Sequence, residues 1–309
     1  MAEPAALVLI HGGQHDSRCW QPTIDAINRD APGTRILTVN LPGRQGVPGD
    51  LDALTIGDCV EAAVGQVEQA GLDDIVLVGH SMAGLTVPGV ATRLGADRVR
   101  RIICVACSVP PQGKRILDTL LPPIRLAVGR GGNELPLWMA KRMFTNGMTP
   151  EQRAFSLSVL IPDASRLALE RVDRSALPDR IPRSWVLTRR DRSLPPRQQR
   201  RLIENLGRVE EVIDLDTCHN AMISRPWIYP EDVAREARPT AAHRMELEST
   251  CGRIESREKN GPHRESAGFL QKALTFGSDG SKIATTGHAG GISGKGNAGP
   301  SVGFRSNRG

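Results

Sequence analysis

The sequence predicts an α/β fold in which helices cover both faces of a mostly parallel sheet. Two observations support this prediction. Short apolar runs recur along the first 230 residues, and stretches with helical spacing separate them. Strands buried on both faces read as near-continuous hydrophobic runs, as these do. With 309 residues, of which 39% are hydrophobic, the chain can bury one sizeable core.

Six apolar runs are predicted to form the strands of this sheet. They are residues 6–10, 35–40, 74–78, 101–106, 184–188 and 209–215. Between the second and third of them, residues 55–69 carry apolar side chains at helical spacing, and Gly71 follows as a stop signal. The order of strands and helices therefore predicts crossover connections, which parallel strands require.

A long insertion, about residues 108–182, separates the fourth predicted strand from the fifth. It contains three helical pieces, residues 114–128, 135–146 and 150–160. An insertion of this length is too long for an ordinary loop, so we expect a helical cap over the ends of the strands. Scaffold helices remote from any site are the alternative.

The character of the chain changes near residue 240. Residues 240–309 hold 13 glycines and ten Lys or Arg against six Asp or Glu, which is +4 of the net charge of +6. Such a segment buries too little surface to order itself, so we predict a folded domain over residues 1–239 and a disordered tail over residues 240–309. The sequence leaves open whether the tail is an interaction arm. Because aromatic residues do not interleave with a basic stripe, we expect no nucleic-acid partner.

Six cysteines show no regular framework, which indicates a reducing compartment. Cys104 and Cys107 form one isolated C-x-x-C, which we interpret as small apolar residues at a buried strand rather than a redox or zinc site. The chain shows neither a signal peptide nor a run of about 20 apolar residues that could span a bilayer. We therefore expect a cytoplasmic protein without cofactor, metal or membrane partner. A homodimer remains open.

Ser81 is the predicted nucleophile. An apolar strand runs into Gly79-His-Ser-Met-Ala-Gly84 and then into a helix, which is the order of a nucleophile elbow. The strained turn requires small residues two positions before and after the serine, because larger side chains would clash there. Gly79 meets this requirement. Ala83 stands where the usual pattern has glycine.

His219 is the predicted base, because a serine hydroxyl needs a histidine that is oriented by an acid. It follows the last predicted strand directly. His80 points away from its neighbour Ser81 and is expected to pack under the elbow. We do not consider the histidines of the predicted tail as the base. We also exclude His11 and His15, which lie in the loop after the first predicted strand.

Asp191 is the predicted acid, since it follows the fifth strand and gives the chain order Ser, Asp, His. Asp214 and Asp216 compete with it, but they lie within or just after the last strand, close to the histidine. The other place for an acid, after the fourth strand, holds Ser108.

Two backbone N–H groups should bind the oxyanion. One is expected from Met82, the residue after the nucleophile. The other is expected from the glycine turn after the first strand, where Gly13 is the better candidate and Gln14 its neighbour.

Four motifs together resemble the α/β hydrolases that include plant methyl esterases and hydroxynitrile lyases. They are residues 8–20 (VLIHGGQHDSRCW), 79–84 (GHSMAG), 190–196 (RDRSLPP) and 218–226 (CHNAMISRP). The resemblance covers about residues 5–236. It implies an α/β-hydrolase fold with a helical cap inserted after the sixth strand of the fold, above a small apolar pocket. It also implies Ser81, Asp191 and His219 as the triad, with Gly13 and Met82 as oxyanion donors.

The expected function is hydrolysis of a small carboxylic ester through an acyl-enzyme. A hydroxynitrile lyase is one alternative, but the known lyases of this group carry a lysine where this chain has Asn220, so a developing cyanide would lack its cationic partner. A receptor that binds a small ligand without turnover is the other alternative.

Overall fold

The computed structural model describes residues 5–119 and 135–226, and these contain one six-stranded sheet. All of its strand pairs are parallel, in the order β2-β1-β3-β4-β5-β6. The strands are β1 (Ala6–Ile10), β2 (Ile36–Val39), β3 (Ile75–His80), β4 (Val99–Val105), β5 (Arg183–Thr188) and β6 (Val209–Leu215). The predicted fold class is confirmed.

Helices occupy both faces of the sheet. The α-helices are α1 (Gln21–Asp30), α2 (Ile56–Gln69), α3 (Val87–Leu94), α4 (Ile116–Thr119), α5 (Leu137–Phe144), α6 (Pro150–Ser158), α7 (Pro196–Leu206) and α8 (Ala221–Ser224). Three short 3-10 turns accompany them, Ser17–Trp20, Ser81–Gly84 and Ser165–Leu169.

The sheet is buried on both faces, as the apolar runs predict. In β1, Val8 and Ile10 belong to the cluster on the side of α2 and α3, whereas Leu7 and Leu9 belong to the cluster on the side of α1 and α8. Successive side chains of a strand point to opposite faces, so a doubly covered strand must be apolar throughout. The edge strand β6 differs, because exposed and half-buried residues alternate along it.

The observed ends of two strands differ from the predicted ends, because polar residues or glycine extend the strand beyond its apolar run. β4 begins at Val99, two residues before the predicted start, although Arg100 and Arg101 follow. Likewise β3 continues through Gly79 and His80. Pairing between strands uses backbone groups, so an apolar run marks only the buried part of a strand.

The insertion between β4 and β5 is helical where the structure describes it. The predicted helices at 135–146 and 150–160 correspond to α5 and α6, and α4 lies within the predicted piece 114–128. Residues 120–128 of that piece lie outside the described residues. Residues 227–309 lie outside them as well, and with them the predicted domain boundary at 239 and the predicted tail. From α5, Phe144 reaches His219, with 5.4 Å between the ring centroids.

Among the helices of residues 5–119 and 135–226, none has the length and apolar character to cross a membrane. The cytoplasmic location and the oligomeric state stay predictions.

Candidate active site

Ser81 lies at the point where β3 ends and a 3-10 turn begins. Its φ of +52° is in the left-handed region, which a residue with a side chain adopts only where its surroundings enforce it. The backbone N–H of Ser108 donates to the Ser81 carbonyl oxygen at 2.7 Å and helps to fix the turn. The sequence thus folds here into the strained strand-to-helix turn that the elbow motif predicts.

Small residues around the elbow meet at one crowded point. A methyl group at Gly79 would lie 2.6 Å from Cγ2 of Val87 and 3.3 Å from Cβ of Ala83. The two positions therefore face each other, and there is room for one methyl group between them. Because Gly79 has none, Ala83 fits without disturbing Ser81.

This packing predicts opposite effects for two glycine-to-alanine changes. We expect Gly79→Ala to lower the free energy of unfolding by about 1–3 kcal/mol, because the added methyl must displace Val87 or Ala83. Gly65→Ala is the matched control in α2, where an added methyl meets nothing within 4 Å. It should stabilise the protein by roughly 0.5–1 kcal/mol through helix propensity. Denaturant titration measures both, and equal stability of the two variants would contradict the crowded elbow.

His219 connects the serine to the acid. Its Nε2 lies 2.8 Å from Ser81 Oγ, and its Nδ1 lies 2.7 Å from Asp191 Oδ2. The side chains of His219 and Asp191 are 2% and 0% exposed. With the proton on Nδ1 the ring donates to Asp191, and Nε2 is free to accept the serine proton. The three residues selected from the sequence are therefore hydrogen-bonded in the order that nucleophilic catalysis requires.

Asp191 is held by more than the histidine. Its Oδ1 accepts the backbone N–H groups of Ser193 and Leu194, both at 2.7 Å, and its Oδ2 accepts the Thr188 hydroxyl at 2.8 Å. Gln199 of α7 donates to Thr188 Oγ1 at 2.9 Å. These hydrogen bonds hold the carboxylate in the orientation in which Oδ2 faces His219 Nδ1. The sequence did not reveal Thr188 or Gln199.

The competing acids lie away from this network. Asp214 and Asp216 are both exposed, and Asp216 forms an ion pair with Arg190 at 3.1 Å. The structure therefore places Asp191, and neither of the other two, against His219.

Two buried histidines orient the glycine loop after β1. His11 Nδ1 lies 2.8 Å from the Gly12 carbonyl oxygen, and His15 Nδ1 lies 2.7 Å from the Gly13 carbonyl oxygen. The C=O and N–H of one planar trans peptide point in opposite directions. By holding the Gly12 carbonyl, His11 thus fixes the direction of the Gly13 N–H.

Burial keeps both rings neutral, so each donates from a single nitrogen. Desolvation lowers the pKa of His11 to about 3 and that of His15 to about 4. His15 Nε2 then accepts from the Asn220 amide at 3.1 Å, which ties the glycine loop to the loop of His219. The sequence analysis excludes His11 and His15 as the catalytic base and gives them no other role. Their positions next to Gly12 and Gly13 in the sequence are the signal that could have indicated this supporting role.

The side chain of His80 contacts the backbone of His219. Its ring is buried, and Nε2 lies 3.0 Å from the His219 carbonyl oxygen. Burial lowers the pKa of His80 well below its usual value, with the neighbouring His219 as a smaller cause. This agrees with the expectation that His80 packs under the elbow.

Cys104 and Cys107 are buried, and Cys107 Sγ donates to the Gly79 carbonyl oxygen at 3.1 Å. Burial raises the pKa of the Cys107 thiol. Within the described ranges, no three His, Cys, Asp or Glu side chains are grouped so that they could hold a metal ion.

The fold and the site define a class of enzyme, and comparison with known families agrees with it. Residues 7–236 match the model of the alpha/beta hydrolase family. The chain belongs to this family.

Two of the relatives that the chain resembles are esterases. The chain is 33% identical over 125 residues to a carbendazim hydrolyzing esterase of a Nocardioides species; the match covers 38% of this chain and half of that relative. It is 22% identical over 252 residues to methylesterase 17 of Arabidopsis thaliana, covering 73% of this chain and 89% of that protein. These relatives confirm the predicted group and enzyme class, and they support ester hydrolysis.

Solved structures show the same fold. One is an extracellular alpha/beta-hydrolase of a Paenibacillus species, described as sharing homology with tobacco salicylic acid binding protein 2. It superposes with a TM-score of 0.65 at 22% identity and covers 76% of this chain and 99% of that one.

Proposed function

We propose that this protein is a serine hydrolase that cleaves a small carboxylic ester through an acyl-enzyme on Ser81. The observation that carries the proposal is the buried chain of hydrogen bonds from Ser81 Oγ through His219 to Asp191. The esterases among its relatives support the same reaction.

The first half of the reaction forms the acyl-enzyme. Ser81 Oγ attacks the ester carbonyl carbon while His219 Nε2 takes the hydroxyl proton, and Asp191 stabilises the resulting imidazolium. The carbonyl oxygen becomes an oxyanion that the N–H groups of Gly13 and Met82 bind. His219 then returns the proton to the leaving alcohol oxygen as the C–O bond breaks.

Water completes the cycle. It attacks the acyl carbon as His219 takes one of its protons. His219 then returns this proton to Ser81 Oγ as the bond between Oγ and the acyl carbon breaks, which releases the free acid and restores Ser81. Each oxyanion donor contributes a factor of roughly 10²–10³ in rate, because it is aimed where charge develops. The reaction uses no group beyond these five residues and water.

The environment of Asn220 favours the esterase over the lyase. Its buried amide donates to His15 at 3.1 Å and to Ser156 Oγ at 3.0 Å. The Asn220 amide is neutral and already donates to these two partners, so it offers no positive charge to a departing cyanide. The hydroxynitrile lyases of the group that this chain resembles have a lysine at this position, which would supply that charge.

A panel of esters tests the proposal. The wild type should turn over p-nitrophenyl acetate and p-nitrophenyl butyrate, and a set of methyl esters should rank its preference for the acyl group. Cleavage of mandelonitrile without ester hydrolysis would indicate the lyase. Binding without any turnover would indicate the receptor.

A further inference from the structure

A buried glutamine lies behind the catalytic acid and has no part in the reaction described above. Gln199 belongs to α7, where Arg197, Arg200 and Arg201 are exposed to solvent, yet Gln199 itself is 0% exposed. A polar side chain that is removed from water must find hydrogen-bond partners, because an unpaired amide in the interior is costly. The contacts of Gln199 therefore have to explain its burial.

These contacts fix the orientation of the Gln199 amide. Its Oε1 lies 3.2 Å from the backbone nitrogen of Thr188 and 3.4 Å from Nε1 of Trp185, and both of these groups can only donate. Its Nε2 lies 2.7 Å from the carbonyl oxygen of Leu194 and 3.2 Å from that of Thr188, and both of these can only accept. The opposite orientation would place donors against donors, so a single orientation satisfies the site.

The oriented amide determines where the Thr188 hydroxyl points. Gln199 Nε2 also lies 2.9 Å from Thr188 Oγ1, and an amide nitrogen cannot accept, so Oγ1 is the acceptor of this hydrogen bond. The proton of the hydroxyl is then left for Asp191 Oδ2, at 2.8 Å. The same Oδ2 lies 2.7 Å from Nδ1 of His219. Gln199 thus acts on the triad through Thr188.

The amide also closes the turn that carries the acid. Thr188 and Leu194 lie on either side of Asp191 in the chain, and the same Nε2 holds the carbonyl oxygens of both. Oδ1 of Asp191 accepts the N–H groups of Ser193 and Leu194, so both carboxylate oxygens have donors. His219 takes the serine proton at Nε2 only while Nδ1 keeps its proton toward Oδ2, so the position of Oδ2 bears on the rate.

We propose that Gln199 is a positioning residue of the triad, which keeps Asp191 Oδ2 against His219 Nδ1 through the Thr188 hydroxyl and the two carbonyl oxygens. It takes no proton itself. The inference rests on the proposed ester hydrolysis and deepens it, since it names the group that holds the acid in place. It also accounts for a buried amide in a helix whose other polar side chains are partly or wholly exposed.

Two variants remove this arrangement at different points. Thr188→Val keeps the shape of the side chain and removes only the hydroxyl. Gln199→Met keeps the length of the side chain, but it leaves the Leu194 carbonyl oxygen buried without this donor and threatens folding. Thr188→Val therefore keeps the inference testable if Gln199→Met does not fold. Each folded variant should lower kcat for p-nitrophenyl acetate about 10-fold, the size of one hydrogen bond to a charged group, with KM within about twofold.

The double variant Thr188→Val/Gln199→Met tests whether the two residues act together. Because the amide directs the hydroxyl, kcat of the double variant should match that of Gln199→Met. Independent contributions would multiply, and kcat would fall about 100-fold. That larger loss would overturn the action through Thr188.

The proton on His219 Nδ1 gives a second readout, which a purely structural role would not move. A proton in a buried hydrogen bond between an imidazole and a carboxylate resonates far downfield of the amide protons, and Asp191→Asn, which removes the carboxylate, assigns it. In Thr188→Val this resonance should shift, because Oδ2 has lost one of its two donors. Thr188→Ser retains a hydroxyl and should restore both the resonance and kcat.

Thr23→Val is the matched control. Thr23 is also buried, and its hydroxyl donates to the Met222 carbonyl oxygen at 2.9 Å. Loss of this hydroxyl should reduce the melting temperature as Thr188→Val does, while kcat and the resonance stay at their wild-type values.

The outcomes separate this inference from the proposed function. Wild-type kcat or an unshifted resonance in folded Thr188→Val would overturn the positioning role and leave the esterase intact. Absence of turnover of every ester by the wild type would overturn the proposed function instead. The resonance would then decide on the positioning role by itself, because it reports the contact between Asp191 and His219 without a substrate.

Discussion

Replacing Ser81 with alanine is expected to lower kcat for p-nitrophenyl acetate by at least about 10⁴-fold, to the level left by the remaining site. In the proposed mechanism the hydroxyl oxygen is the atom that forms the acyl bond, so no acyl-enzyme can form without it. The proposed oxyanion donors are backbone N–H groups, which this substitution leaves in place. Steady-state kinetics with a progress curve measures the loss.

Ser158→Ala is the matched control for this variant. Ser158 is an exposed serine of α6 whose hydroxyl only donates to the Phe155 carbonyl oxygen at 2.8 Å. It should retain wild-type kcat and stability. If Ser81→Ala kept substantial activity, another nucleophile would have to carry the reaction.

Replacing Asp191 with asparagine is the second large effect, and we expect kcat to fall by about 10⁴-fold. An asparagine fits the same space and can still accept from Ser193 and Leu194 through its oxygen. Its amide would then face His219 Nδ1 as a donor. That contact favours the proton on Nε2, so the ring could no longer take the proton of Ser81.

Asp214→Asn and Asp216→Asn test the same chemistry at the competing acids. Both side chains are exposed, and His219 Nδ1 pairs with Asp191 instead, so kcat should stay near the wild-type value. A loss of kcat in either of these variants, with activity retained in Asp191→Asn, would reverse the assignment of the acid.

The sheet could be predicted because burial on both faces forces an unusual pattern on the sequence. β1, β3 and β5 are apolar runs and were predicted to within a few residues. The helices α1 and α7 were not placed individually. α7 is rich in Arg and Gln, and only Gln199, Leu202 and Leu206 are buried, so its apolar stripe is narrow.

The candidate site could be predicted where chemistry and local geometry coincide. Ser81 is marked by the elbow, and His219 and Asp191 by their places after strands. The contacts between the loops around these residues could not be predicted from local sequence. His15 and Asn220 are 205 positions apart, and Arg44 and Asp163 are 119 apart. Contacts over such separations depend on how the cap and loops pack, which no local pattern encodes.

Covalent labelling tests the role of Ser81 most directly. The wild type should react with a fluorophosphonate, and a tryptic digest should carry the label on the peptide of residues 45–93, in which Ser81 is the only serine. Labelling should track the loss of esterase activity and be absent from Ser81→Ala. Ester hydrolysis that survives full labelling of this peptide, or a label on another peptide, would contradict the account.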